Sequence, residues 1–182
     1  MGSNLEMNVF ILNTGRCGST TFIKACQHIT NYSSAHESRS TLISEQRLAY
    51  PENHIEADNR LSWILGRLDQ TYADNAFYVH LSRDKNKTAA SFSKRNDFGI
   101  MKAYREGLLM QEQKNDSALE LAQDYIETIE SNIVLFLKDK THTLEFTLEN
   151  AEQDFKTFWQ AINAEGSLDA ALAEWKTSYN AS

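Results

Sequence analysis

The chain has 182 residues, 41% of them hydrophobic and 10% aromatic, and carries a formal net charge of −7. Such a length buries a full core in one domain, and the composition excludes a disordered chain. The acidic balance excludes an extended basic face for nucleic acid or anionic membrane, so an anionic ligand has to be held by a small local set of cations.

In chain order, the apolar run at residues 7–13 predicts a buried strand, and residues 18–29 predict a helix with Phe22, Ala25, Cys26 and Ile29 on one side. Residues 31–36 predict a short, weakly patterned second strand. The polar stretch 37–53, with the sole proline, Pro51, predicts a long loop containing one helical turn. A short strand near 54–57 precedes Leu61, Ile64, Leu65, Leu68 and Tyr72, which recur at helical spacing behind a cap at Asp58 or Asn59. Ala76 to Ser82 predicts another strand, and residues 84–95 and 98–112 predict helices. The strongest helix is predicted over 117–138, where Leu119, Ala122, Ile126, Ile129, Ile133 and Phe136 fall at intervals of three and four. Thr143 to Thr147 alternates as a strand, and helices at 149–163 and 167–176, parted by Gly166, follow it. Strands alternating with helices define an α/β class with three layers, a central parallel β-sheet flanked by helices, and ligands at the carboxyl ends of the strands. No repeat or linker breaks the pattern, so residues 1–182 read as a single domain.

The chemistry concentrates in residues 9–22. An apolar strand passes through Asn13 and Thr14 into a loop with Gly15 and Gly18, then into a helix. A strand, loop and helix in this order form a phosphate cradle, in which backbone N–H groups at the helix N-terminus face an anion. Arg16, Ser19, Thr20 and Thr21 stand around the same point. The usual nucleoside triphosphate loop needs Gly-Lys-Ser/Thr after a four-residue gap. Here Ser19 follows Gly18 and the cation comes early, at Arg16, which points away from ATP and GTP. A second element follows the strand at 76–82. Arg83 ends that strand, and Ser91 lies eight positions on, two helical turns that bring its hydroxyl back toward the cation as a second small anion site.

Gly15-Arg16-Cys17-Gly18-Ser19-Thr20-Thr21, taken with Arg83 and Ser91, resembles the sulfotransferases that use 3′-phosphoadenosine 5′-phosphosulfate (PAPS). The resemblance covers residues 8–29 and 76–95 well and the rest in general layout. The form of the loop looks more like carbohydrate-type and bacterial members than cytosolic phenol and steroid enzymes. The resemblance implies a P-loop NTPase-like sulfotransferase fold, PAPS as donor in the cleft between the first and fourth strands, and adenosine 3′,5′-bisphosphate as product. It puts the first loop on the 5′-phosphosulfate, with Arg16 at the bridging oxygen and sulfonate, and Arg83 and Ser91 on the 3′-phosphate. The chain departs from cytosolic members in lacking their later Arg-Lys-Gly loop. Sulfuryl transfer is an in-line displacement that depends on alignment and on stabilising charge. A permanent charge with forked donors suits Arg16 to that place.

The acceptor hydroxyl has to lose a proton, so a base is needed near the sulfur. Glu37, in Ala35-His36-Glu37-Ser38-Arg39, is the favoured candidate, because the segment resembles the His-Glu stretch in which carbohydrate-type relatives place a catalytic Glu. His36 is the rival, as a His serves in cytosolic relatives. Strand alternation turns only one of the two easily toward the cleft. Asp58, Arg60 and Arg39 are further candidates for the acceptor side; Arg39 either orients Glu37, holds an anionic acceptor or is solvated. Lys94 and Arg95 read as a wet helix face and His80 as a core histidine. Trp63, Trp159 and Trp175 read as core, with one aromatic expected to stack on adenine. Five histidines and two cysteines show no metal-ligand spacing, so no metal is expected.

Cys17 in the loop and Cys26 on the next helix predict no structural disulfide and a reducing compartment. No apolar stretch approaches the roughly 20 residues of a membrane span. The N-terminus lacks a signal pattern, and Glu6 stands where a Met1-Gly2 myristoylation start requires Ser or Thr. A cytoplasmic protein with no membrane or nucleic-acid partner is therefore expected, acting on a small-molecule or carbohydrate acceptor. Two alternatives remain open: a P-loop small-molecule kinase, separable by magnesium dependence, and a nucleotide-binding or degenerate relative without turnover.

Overall fold

A computed structural model describes residues 7–111 and 117–177. β1 (Asn8–Leu12) leads through the glycine loop into α1 (Ser19–Cys26). Next come β2 (Ser33–His36), a 3₁₀ turn at Ser44–Arg47, β3 (His54–Ala57), a 3₁₀ stretch at Asn59–Trp63 and α2 (Leu65–Tyr72). β4 (Ala76–Ser82) is followed by α3 (Lys85–Ser93) and the short α4 (Gly99–Lys102), which continues as a π-helical turn over Ala103–Leu108. α5 (Ala118–Leu137), β5 (Thr143–Thr147), α6 (Ala151–Ala161) and α7 (Leu168–Glu174) follow.

The five strands are all parallel, in the order β2-β3-β1-β4-β5, and helices cover both faces. This is the three-layer α/β architecture expected from the alternation of elements. A central parallel strand is buried on both sides and so reads as a continuous apolar run, as β1 does. Its pleat sends Val9 and Ile11 to one face and Phe10 and Leu12 to the other. α1, α6 and α7 close the first face around Phe22, whose ring meets Phe146, Phe155 and Phe158 edge-on at 4.9, 5.5 and 5.0 Å. α2, α3, α4 and α5 close the second face around Phe10, Tyr78 and Tyr125.

Several predicted boundaries shift for tertiary reasons. The helix expected to reach residue 29 ends at Cys26. There the chain before α7 crosses it: Thr30 N donates to Glu165 O at 2.7 Å and Ser167 N to His28 O at 3.1 Å. The helix expected to contain Leu61 to Tyr72 divides. Asp58 caps the 3₁₀ stretch by accepting from Arg60 N, and α2 starts afresh at Leu65. The helix expected over 98–112 divides at Lys102 into α4 and the π-helical turn, and its last residue lies outside the described residues. Leu119 is 44% exposed, because α5 meets its packing partners only from Leu121 onward. Trp63 is 37% exposed, at the end of the 3₁₀ stretch and not in a helix core. Trp159 is buried and Trp175 packs on the Phe22 cluster, as expected. Among the described residues no helix is long and apolar enough to cross a membrane.

Candidate functional site

The loop after β1 is held in shape by its own polar side chains. Asn13 donates from Nδ2 to Ile11 O at 2.9 Å, and its Oδ1 accepts from Gly15 N at 2.8 Å. From outside the loop, Ser62 Oγ donates to Asn13 O at 3.1 Å and Tyr125 OH donates to Thr14 O at 2.7 Å. Gly15 has φ +90°, and a Cβ there would sit 2.9 Å from Asn59 Nδ2 and 3.2 Å from Phe92 Cζ, so only glycine fits. Gly18, at φ +96°, begins α1, and no side chain caps that helix. Arg16 lies between them at φ 59°, a left-handed conformation that costs a non-glycine residue about 1–2 kcal/mol. A strained residue between two glycines, at the open N-terminus of a helix, is the arrangement an anion cradle uses.

Cys17 is buried and its Sγ lies 3.5 Å from Asn13 Oδ1. Burial pushes its thiol up to about 12, so it packs the loop as a neutral group. Cys26 is likewise free and buried.

Two distant segments meet at Arg16. Its Nε donates to Ser91 Oγ at 2.9 Å, and Arg83 Nη1 donates to Arg16 O at 3.3 Å. Ser91 and Arg83 thus both bond Arg16, one at its guanidinium and the other at its backbone carbonyl. Burial, and then the charges of Arg95 and Arg83, lower the Arg16 pKa from its ordinary value. The three guanidinium groups therefore create a positive field that a bound anion would relieve.

Beside this cluster lies a cleft of about 260 Å³. Gly15, Arg16, Ser19 and Thr20 form its loop wall, and His36 and Glu37 come from the end of β2. Asn59 and Arg60 come from the segment after β3, while Phe92, Arg95 and residues 98–101 complete the far wall. The cleft therefore reaches from the end of β2 to α3. Cys17, Gly18, Thr21, Arg83 and Ser91 do not line it; Thr21 is buried on α1, and Ser91 and Arg83 lie behind Arg16, to which both are bonded. Among the described residues no group of three metal-ligating side chains is gathered.

His36 and Glu37 both line the cleft, which corrects the alternation argument. Glu37 has φ 52°, so the strand pattern ends at His36 and the next side chain turns to the same side. His36 Nε2 lies 3.0 Å from Ser19 Oγ, and Glu37 Oε1 lies 3.0 Å from Arg60 Nη1. Arg39 faces elsewhere: it donates to Gln46 O at 2.8 Å and lies over the Tyr50 ring. Asp58 is buried against Arg47 at 2.6 Å. Of the three acceptor-side candidates, only Arg60 reaches the cleft. Arg95 lines it as well and is not simply a wet face, whereas Lys94 is exposed and His80 is buried with Nδ1 3.0 Å from Glu145 Oε2.

Sequence reasoning missed Asn13, Asn59, Tyr125 and Phe98. An asparagine just before a glycine loop is a readable turn signal, since its side chain can bond the backbone two residues on. Tyr125 carries no local signal, because its partner Thr14 is 111 residues away. No family model matches the chain, and no curated protein matches it significantly.

Proposed function

We propose that this chain is a sulfotransferase that moves a sulfuryl group from PAPS to an acceptor hydroxyl, on a P-loop-like sulfotransferase fold. The observation that carries the reading is the meeting of Arg16, Ser91 and Arg83 beside the glycine loop, at the carboxyl ends of adjacent parallel strands. The donor suits these residues: Gly15 leaves room where any Cβ would collide, and three guanidinium groups offer a positive field without a basic protein surface.

When bound, the donor supplies the sulfuryl group, and the S–O bond to its phosphate breaks as the bond to the acceptor oxygen forms. Arg16, with the backbone of residues 15–20 and the Thr20 hydroxyl, would hold the 5′-phosphosulfate and stabilise charge on the departing oxygen. Arg83 and Ser91 would hold the 3′-phosphate, and Phe98, an exposed ring at the cleft wall, would stack on adenine. Glu37 accepts the proton of the acceptor hydroxyl, with Arg60 holding the carboxylate. His36, tied to Ser19, serves the loop in this reading.

Purified protein given sulfur-labelled donor and a panel of carbohydrate and small alcohol acceptors should release adenosine 3′,5′-bisphosphate and a labelled ester, undiminished by a magnesium chelator. Tight bisphosphate binding with no transfer to any acceptor would favour the nucleotide-binding alternative. Magnesium-dependent phosphoryl transfer would favour the kinase.

A further inference from the structure

β3 is covered on both sides, yet only one of its faces is apolar. Ile55 and Ala57 enter the layer beneath α1, while His54, Glu56 and then Asp58 turn the other way and are buried. Glu56 and Asp58 are both 0% exposed. Replacing buried ionic groups by apolar ones is often neutral or stabilising, so a buried carboxylate on β3 and a second just after it do not earn their place through stability alone.

Their hydrogen bonds lead to the cleft. Glu56 Oε1 accepts from Ser38 N at 2.7 Å, and its Oε2 accepts from Ser38 Oγ at 2.8 Å and lies 2.9 Å from His54 Nε2. Asp58 Oδ1 accepts from Arg60 N at 2.8 Å, and its Oδ2 from Arg47 Nη2 at 2.6 Å. Ser38 directly follows Glu37, and Arg60 is the partner of Glu37. Glu56 on β3 and Asp58, the cap just after it, therefore each hold the backbone next to, or of, one member of the Glu37–Arg60 pair. β2 is an edge strand with partly exposed residues, and Glu37 is left-handed, so apolar packing does not anchor this turn. The bidentate grip of Glu56 on Ser38 does, together with Glu37 N donating to Ala57 O at 3.0 Å.

We infer that Glu56 is a positioning residue: from the core of β3 it sets the turn that aims Glu37 at the cleft and at Arg60, with Asp58 setting Arg60 from the same face. The inference rests on Glu37 being the acceptor-side base.

The test compares wild type with Glu56→Leu and Glu56→Gln by amide exchange at Ser38, by the guanidinium NMR resonances of Arg60, and by kcat and KM. In Glu56→Leu the Ser38 amide should exchange about tenfold faster or more. The Arg60 resonances should move to the positions they take in Glu37→Gln. Turnover should fall about 10- to 100-fold while KM for the donor stays within about threefold, because Arg16 and Ser91 are untouched. Glu56→Gln keeps an acceptor for the Ser38 amide and should recover most of kcat. Arg60 resonances unchanged in a folded Glu56→Leu, or a raised donor KM with kcat intact, overturns the inference. If Glu56→Leu does not fold, Glu56→Gln and Ser38→Ala decide: each should move the Arg60 resonances partway, and no movement in either overturns it. A wild-type chain without transfer removes the base role from Glu37, while Ser38 exchange and the Arg60 resonances still decide whether Glu56 sets the pair.

Discussion

Arg16 Nε donates to Ser91 Oγ across 2.9 Å, joining residues 75 positions apart into one cluster beside the glycine loop. The bond ties the loop after β1 to the helix after β4, so the cradle is built by two adjacent strands and not by the loop alone. It also gives the left-handed Arg16 a fixed side-chain direction, which pre-organises the guanidinium.

Arg16→Ala should lower kcat by about 10²–10³, the usual loss when one donor to a developing oxyanion is removed. The melting temperature should stay near wild type, because the residue is only partly buried. Labelled-donor turnover and a thermal melt check both. Arg16→Lys should recover only part of the rate, since an ammonium keeps the charge but loses the fork.

Adenosine 3′,5′-bisphosphate should raise the melting temperature well above the shift given by AMP, through linkage of binding to folding. In Arg83→Ala and Ser91→Ala the gap between the two ligands should shrink. Equal shifts for both ligands in wild type would remove Arg83 and Ser91 from the 3′-phosphate.

Glu37→Gln should reduce kcat about 10²–10⁴-fold, the range for loss of a general base, with little change in donor KM. His36→Ala should weaken the loop through Ser19 and act mainly on donor KM. The reverse pattern, with kcat carried by His36, would assign the base to the histidine.

Glycine substitutions should separate by what a methyl group meets. Gly166→Ala brings a Cβ to 2.1 Å from His28 O at φ +128°, so a loss of about 3 kcal/mol or more is expected in a urea melt. Gly66 lies exposed in α2 with nothing near its added Cβ, and Gly66→Ala should stabilise by about 0.5–1 kcal/mol.

Cys17 should resist thiol reagents in the native state, since burial raises its pKa from 9.0 to about 12. The sign follows from linkage: native Cys17 keeps its proton where the unfolded thiol has lost it. Its contribution is complete below about pH 9 and is lost as the pH rises from there toward 12. Cys17→Ser should flatten that part of the alkaline stability curve, measured by urea melts at a series of pH values.

The parts legible in the sequence were those encoded by neighbours along the chain. Pleat and helical periods depend on residues two to four apart, so β1, β4, α1 and α5 and the glycine loop between β1 and α1 could be read directly. Arg16, Ser19 and Thr20 could be named because they stand in the loop or first turn that joins two such segments, whereas His36 and Glu37 were named from a resemblance and not from a periodic pattern. Elements fared worse where a distant chain competes with local preference, as where the segment before α7 stops α1 at Cys26. The same holds for partners. Sequence spacing pointed Ser91 at Arg83 and left Arg39 open between Glu37, an anionic acceptor and solvent, whereas packing brought Ser91 to Arg16 and Arg60 to Glu37.

By itself the sequence determined an α/β chain with a glycine loop between its first strand and first helix, because hydrophobic period, glycine placement and helix polarity are local quantities. Only the tertiary structure decided which cations gather at that loop, that His36 and Glu37 share one cleft, and that Glu56 of β3 and Asp58 after it bond Ser38 and Arg60. Those contacts join residues whose separation along the chain sets no distance between them; the order of strands in the sheet does.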